Sequence, residues 1–349
     1  MTAIRIRTLL TFAVFFSFAL APLAFGHEEG TKTAKLKFKA YKKWTIELPK
    51  ETFNPIKNEI AIPNGNGTGF ATELQGTTLM VDSTGDGRLN DKARGKAGFI
   101  ILRSKNAEGY AFTYAIRLKN AGGWSYSTTG AMIGKVDGIR IMLIDQNNNG
   151  RYDDFGADAM VVGNGSSASF LSKQVSIKGE LYDVTVNALG NQIDLTPFSG
   201  EAGMLNLVKG YKSKGGKLVS AVVLSEDGGS SFNLAGLKKG LTIPAGNYNL
   251  AYGTITKGTE TVHVKAGRMK SLVVSPGKEN KLEWGGPINA EFSYDRAGDK
   301  VSVSPQKMWF YGRSGEEYYN WFPDGQSPKF IIRNAKTRKE IRAIRFGGC

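Results

Sequence analysis

Short runs of β-branched, aromatic and aliphatic residues recur along this chain. They are Thr78–Val81, Gly98–Leu102, Tyr110–Leu118, Gly138–Ile144, Ala159–Val162 and Leu181–Val186. Gly, Asn, Asp and Ser bound nearly all of them, as turn residues bound strands. The stretch LYDVTV (181–186) alternates apolar and polar positions, the period of a sheet with one wet face. No helical pattern of ten or more residues follows the N-terminal segment. The fold class expected is all-β.

A degenerate repeat organises the first half. TTLMVDSTGDGRLNDKARGKAGFIIL (77–102) parallels GIRIMLIDQNNNGRYDDFGADAMVVG (138–163). Each reads strand, acidic glycine turn, polar stretch, strand, so two related β units sharing one core are expected over residues 27–200. After the linker-like YKSKGGK (211–217), alternating strands through LKKGLTIPAGNYNLAYGTI and TVHVKAGRMKSLVVSPG predict a small β-sandwich over 201–282. Residues 283–349 read as a C-terminal β segment or domain. This part carries Trp309, Phe310, Tyr311, Tyr318, Tyr319, Trp321 and Phe322, which suit a core or a sugar-stacking platform.

The N-terminus changes the picture. Arg5 and Arg7 precede an uncharged apolar run, Thr8 to Leu23, and Ala24-Phe25-Gly26 places small residues at −3 and −1 before His27. That order is the pattern of a cleaved secretory signal over residues 1–26. The run is shorter than the roughly 20 residues of a spanning helix, and no Cys follows it to carry a lipid anchor. The localisation expected is secreted or periplasmic.

With 44 Gly, 19 Phe, 13 Tyr and 5 Trp, the chain joins many turns to ample core-forming residues. The single cysteine, Cys349, allows no intrachain disulfide. Net charge is +15 and falls to +13 without Arg5 and Arg7. Such charge favours an acidic polysaccharide or envelope polymer as partner. No nucleic-acid motif is present. The run KTAKLKFKAYKK (32–43) alternates Lys with apolar residues, as a cationic strand blunting a sheet edge does.

The strongest chemical signal is a pair of loops, Asp82-Ser-Thr-Gly-Asp-Gly-Arg-Leu-Asn-Asp91 and Asp145-Gln-Asn-Asn-Asn-Gly-Arg-Tyr-Asp-Asp154. Both resemble the calcium loop of EF-hands and its dockerin-like variants, with oxygen side chains at positions 1, 3, 5 and 9 and Gly at 6. The resemblance implies Ca²⁺ ligation by Asp82, Thr84, Asp86 and Asn90 with the Arg88 carbonyl. In the second loop it implies Asp145, Asn147, Asn149 and Asp153 with the Arg151 carbonyl. The bidentate Glu of position 12 is replaced by Ala93 and Gly156, so Asp91, Asp154 or Asp158 would have to substitute. Strands, not helices, flank the loops, and an affinity on the order of 10⁻⁴–10⁻³ M is expected. A plain turn of Asp, Asn and Gly is the competing reading. A second resemblance, of LTIPAGNYNL to transthyretin-like and carboxypeptidase-regulatory-like modules, spans about ten residues and implies an accessory role.

Catalytic arrangements are hard to assemble. There are two histidines, His27 and His263, no Gly-x-Ser-x-Gly elbow and no His/Cys cluster for zinc. GNGTG (65–69) lacks the Gly-Lys-Ser/Thr and helix of a phosphate loop. The residues therefore point to an exported, non-catalytic, calcium-binding structural or adhesive protein of the cell envelope or exterior. Two alternatives are a glycan- or polyanion-binding module using the late aromatics, and a carboxylate-dependent hydrolase using acids such as Asp153, Asp154 and Asp158.

Overall fold

A computed structural model describes residues 30–64, 68–105, 109–298, 300–322 and 329–345. The signal-like segment, His27, residues 65–67 of the GNGTG turn and Cys349 lie outside them. Every regular element among the described residues is a strand, as the sequence pattern predicts. No helix among them is long and apolar enough to cross a membrane.

Four small antiparallel sheets build the first 200 residues. Lys32–Lys35, Gln192–Pro197, Glu180–Val186 and Gln174–Ile177 form one, in that order. Asn54–Pro55, Trp124–Thr128, Ala111–Asn120 and Ala97–Lys105 form another. Lys37–Ala40, Gly130–Val136, Ile139–Ile144, Ala159–Val162 and Ser169–Phe170 form a third. Glu59–Ile60, Phe70–Gln75, Thr78–Val81 and Asp91–Ala93 form the last. The lysine-rich run divides at the buried Leu36. Its two halves become edge strands of different sheets, where outward lysines discourage pairing with another chain.

Alternation sets the core. In Glu180–Val186, Tyr182, Val184 and Val186 are buried, and they join a cluster running from Ala34 to Leu195. Ile139–Ile144 is different, since both of its faces are covered. Ile141 and Leu143 enter that large cluster, while Met142 and Ile144 pack with Leu48, Ala131, Ala159 and Val161 in a smaller one. An unbroken apolar run such as IMLI is what a strand buried on both faces requires.

A separate cluster runs from Leu205 to Tyr318. Its largest sheet orders Ser231–Asn233, Lys217–Ser225, Gly246–Lys257, Glu260–Lys265, Glu317–Phe322, Lys300–Tyr311 and Asn289–Ala297. Residues 289–322 are thus continuous with this sheet, through the pairing of His263 with Tyr319 and Val264 with Tyr318, whereas Lys329–Arg333 and Glu340–Arg345 form a separate two-stranded sheet. Two short parallel pairs, Met204–Asn206 with Glu279–Lys281 and Tyr211–Lys212 with Trp284–Gly285, close its other side.

Hydrogen bonds tie the two clusters' segments together. The Lys173 amide donates to the Gly229 carbonyl (2.8 Å) and the Ser231 amide to Ser172 Oγ (2.9 Å). Glu47 accepts from Ser167 Oγ (2.8 Å) and Tyr252 (2.8 Å), and also from Thr254. Thr254 and Tyr252 each lie 3.0 Å from His263 Nδ1. His263 is therefore half-buried in a polar junction that nothing local in TVHVK announces.

Candidate functional site

Both acidic loops connect antiparallel neighbours, and both close on the segment Ile62–Asn64. A Cβ on Gly85 would meet Asn64 Nδ2 at 3.2 Å, and one on Gly150 would meet Ile62 Cγ2 at 3.0 Å. The loops differ in length because their return strands begin at different places. Val81 pairs with Asp91 in the first hairpin. Ile144 pairs with Ala159 in the second. The sequence repeat, which aligns the first loop's return with Gly98–Leu102, is corrected here. Asp91–Ala93 returns first, and Ala97–Lys105 pairs instead with Ala111–Asn120.

The first loop satisfies itself. Asp82 Oδ1 accepts amides from Thr84 (3.1 Å), Gly85 (2.8 Å) and Asp86 (3.3 Å), and Oδ2 accepts Gly87 (2.8 Å). Asn90 Oδ1 accepts the Ser83 amide (2.8 Å) and its Nδ2 donates to Thr84 Oγ1 (2.9 Å). Asp86 Oδ1 accepts the Arg88 amide (2.9 Å), and Asp91 Oδ2 accepts Ser83 Oγ (2.5 Å). Thr84, Asp86, Arg88, Asn90 and Asp91 are exposed, so water competes for their remaining oxygens. Ala93, where an EF-hand has its Glu, is buried in the core.

The second loop is buried and short of partners. Asp145 is fully enclosed. Its Oδ2 accepts the Gly150 amide (2.6 Å) and the Tyr114 hydroxyl (2.8 Å), and its Oδ1 accepts the Asn149 amide (3.2 Å). Asn148, at φ +62°, staples the loop to the core by accepting the Thr128 amide (2.6 Å) and donating to the Thr52 carbonyl (3.1 Å). Asn147 and Asn149 both donate to Asp154 Oδ2, at 2.9 and 2.6 Å. Asp158 Oδ2 accepts the Asp154 amide (3.1 Å). Asp158 Oδ1 is buried with no hydrogen-bond partner among the described residues.

Such an orphaned acceptor costs about 1–3 kcal/mol. Burial and then the nearby Asp145 push the Asp158 carboxyl far above the usual carboxylate range. Asp145 is also raised, by burial, against the bonds that Tyr114 and the loop amides supply. Burial, then Asp145, holds the Tyr114 phenol well above its ordinary range, so it remains a donor. The one cation of the loop, Arg151, faces outward and pairs with Asp153 at 2.7 Å. It leaves Asp145, Asp154 and Asp158 uncompensated. Among the described residues, no three His, Cys, Asp or Glu side chains gather as a metal-ligand group by themselves. The oxygens of Asn147 and Asn149 and the Arg151 carbonyl would have to complete a cation's shell.

Position 12 has a steric explanation. Gly156 sits at φ +75°, and a Cβ there would lie 2.4 Å from the Gly228 carbonyl oxygen. A glutamate cannot occupy that point, because the segment carrying Gly228 packs on it. Asp158, two residues on, is the carboxylate the backbone leaves room for. Tyr114, 31 residues before Asp145, belongs to the site, but its place in an alternating strand gives no local signal of it.

The late aromatics scatter. Tyr318 is buried, Tyr311 lies 4.0 Å beneath the Arg268 guanidinium, and Tyr319 stacks near His263 at 5.7 Å. Phe310 and Trp321 meet edge-on at 5.4 Å. Trp309 and Trp321 are both exposed, on different strands. They do not form one flat platform. No family model, curated protein or solved structure matches this chain.

Proposed function

We propose that this is an exported, non-catalytic structural protein braced by calcium, with the second loop as its principal calcium site. The observation that carries the reading is the buried Asp145–Asp158 pair beside the further carboxylate of Asp154, with one oxygen of Asp158 lacking a partner among the described residues. Removing two acids from water is costly unless a cation compensates them. A hard divalent ion with six to eight oxygen ligands suits a loop of carboxylate, amide and carbonyl oxygens. Calcium there would stiffen more than a hairpin. Gly156 of the same loop packs on Gly228, and its amide bonds the Leu171 carbonyl (2.9 Å). A bound ion would thereby hold the two core clusters' segments against each other. Export into a calcium-rich compartment, as the N-terminal sequence implies, would fill even a weak site. The basic surface would favour an acidic envelope polymer as the neighbour to which such a scaffold adheres.

The test is thermal melting of residues 27–349 in millimolar Ca²⁺ and in chelator. The reading predicts a higher Tm with calcium, by several degrees. The same Tm in both conditions overturns it.

A further inference from the structure

Away from both loops lies a half-open cleft of ≈ 670 Å³ between the strap Tyr211–Gly216 and the hairpin Gly246–Lys265. The strap is fixed from below. It pairs in parallel with Trp284–Gly285, Tyr211 packs on Trp284 with ring centroids 4.8 Å apart, and the Gly286 amide donates to the Lys212 carbonyl at 2.7 Å. The cleft is thus a preformed feature rather than a gap between loose loops.

Its walls and its rim differ in chemistry. The inner wall is formed by the buried side chains of Ile255, Val262 and Tyr318. Ile288 and Trp321, 37% and 36% exposed, extend the apolar surface outward. The rim carries Lys212, Lys214 and Lys257 against one acid, Glu260. Lys212 reaches Glu283 at 3.6 Å, whereas Lys214 and Lys257 form no ion pair among the described residues.

We infer that this cleft binds an amphipathic anion, an acyl-type apolar body with a single carboxylate, sulfonate or phosphate head. Size and an apolar lining with few polar groups are those of small-molecule sites. The apolar wall decides between ligand classes. A fully hydroxylated sugar would bury hydroxyls against Ile255 and Val262 with nothing to bond them, which is unfavourable. An alkyl chain gains there with each methylene, by about fourfold in affinity. The ammonium groups of Lys214 and Lys257 stand where the head of such a chain would emerge, at a water-exposed rim that a compact, strongly hydrated charge prefers. This inference is independent of calcium.

Titration calorimetry with residues 27–349 in chelator tests it, using dodecanoate below its micellar concentration. Dodecanoate is expected to bind one-to-one, with dodecanol and the double variant Lys214→Glu, Lys257→Glu each at least tenfold weaker. Both lysines are exposed, so an unchanged melting curve shows that the variant is folded. Binding to phosphatidylglycerol vesicles that dodecanoate competes away, and that the variant loses, assigns the head to a lipid rather than to a free acid. No binding of dodecanoate, equal affinity for dodecanol, an unaffected double variant, or tighter binding of oligogalacturonate overturns the inference. Because chelator is present throughout, failure here leaves the calcium reading untouched, and the reverse also holds.

Discussion

The two acidic loops share a sequence pattern and a buried first aspartate, and they differ in what surrounds the rest of the loop. Asp82 ends a strand, Thr78–Val81, that buries only Leu79 and Val81. Its loop therefore emerges at the surface, and four amides take up its carboxylate. Asp145 ends Ile139–Ile144, whose last four side chains are all buried. Its loop opens inside the fold, and the chain runs on to Asp158 before pairing resumes. The same first residue thus closes a self-satisfied turn in one case and begins a buried, electron-rich pocket in the other. Burial of the strand that delivers a loop, more than the loop's own letters, decides how many of its acids are left short of partners.

Substitutions separate the two. In calcium, Asp145→Ala is expected to have the largest effect. It orphans the Tyr114 hydroxyl and two amides, costing about 3 kcal/mol. It also forfeits the ion's contribution, about 2.7 kcal/mol at a hundredfold excess over Kd. Denaturant melts with and without chelator read both parts. Asp158→Asn comes next, and its effect depends on calcium. Without the ion, burial and Asp145 already keep this carboxyl protonated at neutral pH, so the amide leaves Tm close to that of the parent. With the ion it lowers Tm by several degrees, because a ligand charge is lost. Asp82→Ala ranks third, at about 1 kcal/mol, since its freed amides lie near water. The calcium-induced rise in Tm is expected to survive it. Arg151→Ala should change stability by less than about 0.5 kcal/mol, as its pair with Asp153 is outward-facing. If Asp82→Ala abolished the calcium response and Asp145→Ala spared it, the ranking of the loops would be inverted.

Much of this was legible before the fold was known. The all-β class follows from period-two runs punctuated by Gly, Asn and Asp. The two loops follow from their oxygen spacing. The contrast between them was less legible, since LMV (79–81) and IMLI (141–144) are both unbroken apolar runs and periodicity alone does not say what covers a second face. Three things had no local signature. Tyr114 reaches Asp145 only because its strand packs against that loop. Gly156 is glycine because of Gly228, 72 positions later. Glu47 meets Tyr252 and Thr254 across more than 200 residues. Each is a product of long-range packing, which spacing along the chain does not encode. The aromatic-rich C-terminal segment shows the same limit. Its composition suggests stacking, but strand geometry sends Tyr318 inward and Trp321 outward.

The most direct measurement is a calorimetric titration of Ca²⁺ into residues 27–349, into Asp158→Asn and into Asp82→Ala. The account predicts a saturable site in the parent, with a Kd on the order of 10⁻⁴–10⁻³ M, which Asp82→Ala retains and Asp158→Asn loses. A parent that binds no calcium, or an Asp158→Asn variant that binds it as the parent does, would contradict the claim that the second loop holds the ion.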